Sequence, residues 1–113
     1  MGLGLLYTDY QHSILKDREK VYFSEAIKAA FLDAVLKRFS ISEVVVLSTC
    51  NRSEIYFVAE DPEALKPDLK LFLSEFFQLP LPSIKNIFDW HSGPDVVTHL
   101  FGVASGVYSF GVS

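Results

Sequence analysis

Two short runs rich in β-branched and aromatic residues, Val44-Val45-Val46-Leu47 and Ile55-Tyr56-Phe57-Val58, enclose a polar segment that carries the single cysteine, Cys50. Each run is too short for a helix and is bounded by polar residues, so the two read as adjacent strands. The segment between them then brings the hydroxyl of Thr49, the thiol of Cys50, the amide of Asn51 and the guanidinium of Arg52 to the rim of a sheet. Rigid scaffolds commonly present reactive groups on such loops, which makes this stretch the first candidate for an active site.

The rest of the chain supplies the elements such a strand pair needs. Leu3 to Thr8 is short and apolar and reads as a first strand buried on both faces. Asp9 to Lys20 has no clear periodicity, and its alternating charges, Lys16-Asp17-Arg18-Glu19-Lys20, predict a solvated loop or a short helical turn. Ser24 can cap a helix and Glu25 suits its first turn, with Ile27, Phe31, Ala34, Val35 and Leu36 near helical spacing through Phe39. Lys37 and Arg38 then fall in the last turn as helix-end charges. Asp61-Pro62 opens a second helix with the apolar stripe Leu65, Leu69, Phe72, Leu73 and Phe76, which either runs through Pro67 or restarts there. Leu79-Pro80-Leu81-Pro82 reads as a connector and Ile87 to His91 as a last strand. Pro94 suits the start of a third helix in which Val96, Leu100, Val103 and Val107 share a face, with His99 on or beside it and pointing inward. This order predicts an α+β sandwich of ferredoxin-like βαββαβ type with an additional C-terminal helix, its two main helices packed on one face of an antiparallel sheet.

At 113 residues, 50% hydrophobic and 14% aromatic, the chain is expected to form one domain with a real core and no staples. One cysteine excludes an intrachain disulfide, and neither a signal pattern nor a membrane-length apolar run is present, so a soluble cytoplasmic protein is expected. The net charge of −4 argues against holding nucleic acid by bulk electrostatics, so any such partner must be gripped locally or by another domain. His12, His91, His99 and Cys50 show no zinc-like spacing, and Gly102 to Gly106 does not match a dinucleotide fingerprint, so neither a metal nor a cofactor site is expected in this chain. On residue type alone a lone cysteine is more often a small buried hydrophobe than a nucleophile, and a histidine on an apolar helix face is usually a core residue. The polar neighbours of Cys50, and Arg52 two residues on, favour a thiolate instead.

The stretch Ser48-Thr49-Cys50-Asn51-Arg52-Ser53-Glu54-Ile55-Tyr56 closely resembles the signature of glutamyl-tRNA reductase, the first committed enzyme of tetrapyrrole synthesis from glutamate. Arg18-Glu19-Lys20 with Phe23-Ser24, and His99-Leu100-Phe101 with Val103 to Gly106, extend the likeness over the N-terminal catalytic domain of that family. The resemblance implies that Cys50 attacks the aminoacyl ester of glutamyl-tRNA(Glu), giving a thioester that NADPH reduces to glutamate-1-semialdehyde, the route to 5-aminolevulinate and haem. It places Thr49 and Arg52 on the glutamate moiety, gives Ser109 as a further substrate contact and makes His99 an active-site histidine, whether to polarise the carbonyl, orient the ester or move a proton. It also implies that residues 1-113 are the N-terminal part of a longer, homodimeric enzyme whose NADPH-binding and dimerisation domains lie elsewhere. Four places depart from the family pattern: Asp9-Tyr10-Gln11 stands for an Asn-His-Lys segment, Ile14 for proline, Gly102 for arginine and Tyr108 for aspartate. The alternative is a catalytically silent homologue or interaction module that keeps the fold, and the reactivity of Cys50 separates the two.

Overall fold

β1 (Gly2–Asp9) is an interior strand of a four-stranded sheet in the computed structural model, which describes residues 2–9, 14–49 and 52–104. It is followed by α1 (Leu15–Lys20), α2 (Glu25–Arg38), β2 (Ile41–Thr49), β3 (Arg52–Ala59), α3 (Pro62–Phe77), α4 (Leu81–Ile87), β4 (Asp89–Ser92) and α5 (Pro94–Ala104). The strands lie in the order β2-β3-β1-β4 and every neighbouring pair is antiparallel. With α1 and α4 set aside as short insertions, this is the expected βαββαβ order, closed by an extra C-terminal helix. Gly4 to Thr8 are all buried, as a strand covered on both faces requires.

Period-2 alternation divides the sheet's side chains between two environments. Leu6, Val46, Ile55 and Phe57 meet Phe31 and Val35 of α2 and Leu69, Phe72 and Leu73 of α3 in the main core. Phe31 sits at the centre of an aromatic cluster, with ring centroids 5.1 Å from Phe23, 5.8 Å from Phe72 and 5.4 Å from Phe76. Gly4 faces this core opposite Phe57, and a methyl group added there would collide with the Phe57 ring. On the other face Leu5 and Tyr7 are covered by Val96 of α5, while Val45, Leu47, Val97 and Leu100 remain exposed around an open apolar groove.

The helix expected from Ser24 is present, with Ser24 Oγ accepting from the Ile27 amide. It buries Phe31 and Val35 and leaves Ile27 and Leu36 exposed, a narrower stripe than the spacing predicts. Lys37 and Arg38 are exposed helix-end charges, paired with Asp33 and Glu75. α3 runs unbroken through Pro67. A proline inside a helix costs about 3 kcal/mol, whereas fully burying each of Leu69, Phe72 and Leu73 contributes roughly 1.5–3 kcal/mol, so the apolar stripe prevails.

Two expectations are corrected. The connector at Leu79 to Pro82 leads directly into α4: Pro80 is its N-cap and Pro82 falls in the first turn, where a missing amide proton removes no intrahelical bond. The last strand begins at Asp89 rather than Ile87, because Ile87 ends α4 and both Ile87 and Phe88 are buried in the core.

Candidate active site

β3 points Arg52, Glu54 and Tyr56 to the face away from α2 and α3, at the alternate positions of one strand. Glu54 is fully buried, and no carboxylate is left in that state without donors. Three side chains meet it here. Tyr56 Oη donates to Glu54 Oε1 at 3.0 Å, and Arg52 Nη1 donates to Oε2 at 3.4 Å. His99 Nε2 lies 2.7 Å from the same Oε2. This contact fixes the plane of the ring, and the tautomer of His99 decides which of the two groups donates.

The sheet and α5 assemble this cluster together. Tyr7 is the register partner of Glu54 and stacks on His91 with centroids 5.0 Å apart and 11° between the ring planes. The His99 ring lies 4.4 Å from Tyr7 and 5.5 Å from His91. Among the α5 side chains described, Val96 and His99 are buried whereas Leu100 is exposed, so the histidine lies on the face turned to the sheet. Burial, followed by the charge of Glu54, raises the Tyr56 phenol well above its ordinary value, so Tyr56 is a neutral donor at physiological pH.

Thr49 and Arg52 are register partners at the ends of β2 and β3, so their side chains leave the sheet on the same face. Thr49 is exposed and Arg52 is buried. Beneath them a chain of hydrogen bonds anchors the strand ends to the segment before α2. The Phe23 amide donates to Ser48 Oγ at 3.0 Å, Ser48 Oγ lies 2.9 Å from Ser53 Oγ, and Ser53 Oγ donates to the Val21 carbonyl at 3.0 Å.

Thr49, Arg52 and His99, three residues singled out from the sequence, are thus on one face of the sheet, the last two joined through Glu54. Cys50 and Ser109 lie outside the described residues, as do His12, Tyr10, Gln11 and Tyr108. Glu54, Tyr7, Tyr56 and His91 complete the cluster and were not singled out as site residues. One signal for them is the spacing Arg52, Glu54, Tyr56 on a single strand face, two charges where a buried strand should carry apolar groups. Among the described residues no group of three or more His, Cys, Asp or Glu side chains is arranged to hold a metal ion. Among the described residues no glycine-rich turn joins a strand to a helix: β3 enters α3 through Glu60 and Asp61, and β4 enters α5 through Gly93 alone. The described residues therefore do not fit a nicotinamide dinucleotide. No helix among them is long and apolar enough to cross a membrane.

Fold and site together define an α+β domain of ferredoxin-like topology with a buried carboxylate, guanidinium and imidazole cluster formed between β3 and α5. Residues 6–112 match the family model for the N-terminal domain of glutamyl-tRNAGlu reductase, and the chain belongs to that family. It is 40% identical over 109 residues to the glutamyl-tRNA reductase of Macrococcus caseolyticus and 33% identical over 109 residues to that of Geobacillus kaustophilus, in each case over 96% of this chain and 24% of the relative. Among solved structures, glutamyl-tRNA reductase from Methanopyrus kandleri matches with a TM-score of 0.68 at 24% identity, over 96% of this chain and 23% of that one, a likeness of fold. The chain spans about a quarter of the length of these relatives.

Proposed function

We propose that residues 1–113 form the substrate-recognising, acyl-transfer domain of a glutamyl-tRNA reductase, which acts at the first step of tetrapyrrole synthesis. The observation that carries this reading is the convergence of Arg52 and, from α5, His99 on buried Glu54, with Thr49 across from Arg52 on the two strands that flank Cys50. In this reading the Cys50 thiolate attacks the acyl carbon of glutamyl-tRNA(Glu). A C–S bond forms, the C–O bond to the tRNA ribose breaks, and the ribose oxygen leaves with a proton. The thioester so formed is more electrophilic than the ester it replaces. Thr49 and Arg52 receive the glutamate side chain, for which the planar guanidinium is the suited partner, and Ser109 is a further substrate contact. Glu54 acts on these groups indirectly: it anchors the guanidinium and sets the plane of the His99 imidazole. Reduction to glutamate-1-semialdehyde requires hydride from NADPH. The described residues do not fit that cofactor, so we assign its binding, and homodimerisation, to further domains of a cytoplasmic enzyme.

The test is Cys50→Ser in the intact protein, supplied with glutamyl-tRNA and NADPH. Loss of semialdehyde formation with an unchanged unfolding midpoint is expected, and near-normal activity would remove Cys50 from the chemistry.

A further inference from the structure

Lys66 and Lys70 stand one helical turn apart on α3, and with Lys85 of α4, Pro67 and Leu81 they line a cleft of about 230 Å³. The cleft borders edge strand β4: the Lys66 ammonium lies 5.5 Å from the centre of the Trp90 ring. Four cations elsewhere on the helices are matched. Lys20 pairs with Asp17, Lys28 with Glu25, Lys37 with Asp33 and Arg38 with Glu75, each at 3.6 Å or less. Among the described residues none of the three cleft lysines has a carboxylate within salt-bridge distance. Glu63, one turn before Lys66, is hydrogen-bonded by Trp90 Nε1 and by Ser92 and feels the Lys66 charge more weakly, and Asp89 is the acid that acts on Lys70. Burial, followed by repulsion from Lys66, pulls the Lys70 ammonium down from its ordinary value, with Lys85 adding to the repulsion.

Three cations gathered in a partly desolvated cleft are an unfavourable arrangement unless an anion joins them. The acidic chain as a whole repels a polyanion, so a nucleic-acid substrate needs a local foothold of this kind. Lysines are flexible point charges, suited to phosphates that carry no sequence information. Edge strand β4 lies between the cleft and the site: Trp90 faces Lys66 on the helix side of the sheet, while its neighbour His91 stacks on Tyr7 beside His99 on the opposite face.

We infer that the Lys66, Lys70 and Lys85 cleft binds the phosphodiester backbone of the tRNA whose aminoacyl end enters the site. This inference rests on glutamyl-tRNA being the substrate. The test measures uncharged tRNA binding to the intact protein over a series of salt concentrations. Replacing the three lysines together by glutamine should lower affinity about tenfold or more at low salt. It should also make the slope of log K against log[salt] shallower by about 2–3, since each phosphate contact contributes roughly 0.7–0.9. The triple arginine variant should keep both. A control that replaces Lys20, Lys28 and Lys37 by glutamine changes net charge equally and should leave binding close to that of the parent. Unchanged affinity and slope in the cleft variant overturn the site alone, as does an equal loss in the control, which would show that net charge governs. Failure of the unsubstituted protein to bind tRNA overturns the substrate reading and the site with it.

Discussion

Glu54→Ala is the substitution to which this fold should be most sensitive, because it removes the carboxylate shared by three buried or half-buried partners. Arg52 is only 4% exposed, so deleting the Glu54 carboxylate removes one of the contacts that hold its guanidinium charge in a largely dry site. Breaking a buried pair from one side costs about 3–5 kcal/mol. For a domain of this size that corresponds to a fall in Tm of roughly 12–20 °C, at about 4 °C per kcal/mol. Glu54→Gln keeps the volume and one acceptor oxygen and loses the charge-assisted part of the bonds, for about 1.5–3 kcal/mol. The double variant Arg52→Met with Glu54→Leu removes both charges of the pair and should be more stable than Glu54→Ala alone. Urea unfolding of the four proteins gives the comparison directly. If Glu54→Ala lies within about 0.5 kcal/mol of the parent, as an exposed substitution would, the carboxylate does not organise the cluster.

Tyr56 has its phenol pKa raised in the folded protein, so the unfolded chain loses that proton first as pH rises. Stability should therefore decline above the ordinary tyrosine value of about 10, and Tyr56→Phe should flatten this alkaline slope; an identical slope in denaturant titrations would contradict the assignment. Gly4→Ala places a methyl group against the Phe57 ring in an interior strand and should destabilise by about 1–3 kcal/mol, read as a lower unfolding midpoint. A neutral effect would mean that Phe57 can move aside. Ser53→Ala removes the link between Ser48 and the Val21 carbonyl and should cost about 1–2 kcal/mol, with faster hydrogen exchange at the Phe23 amide. Unchanged exchange there would show that the segment before α2 is held by other contacts.

The elements that periodicity predicts best are those whose burial is one-sided and local. α2 and α3 carry their own pattern, so the sequence places them closely, whereas β2 and β3 extend past their apolar runs to Thr49 and from Arg52 because the ladder continues through the polar residues. α4 is hidden because prolines that forbid helix continuation are the same residues that suit a helix start. β4 is displaced because Ile87 and Phe88 are apolar for the core beneath α3 rather than for a strand. At the site, the stretch from Ser48 to Tyr56 marks Thr49 and Arg52 without any structure. Glu54 stands in that same stretch, and its alternation with Arg52 and Tyr56 is the one local signal of its part, easily missed because a charged residue in a strand is ordinarily taken as solvent-facing. Its burial depends on a histidine 45 positions later, carried over the sheet by α5. No local pattern encodes that encounter.

The central claim is that Cys50 accepts the glutamyl group, and mass spectrometry of the Cys50 peptide after incubation of the intact protein with glutamyl-tRNA, NADPH withheld, tests it most directly. The account predicts a glutamyl adduct on Cys50 that is released by hydroxylamine, as a thioester is, and that is lost in Cys50→Ser. An unmodified Cys50 under conditions where the same protein makes semialdehyde once NADPH is added would contradict it.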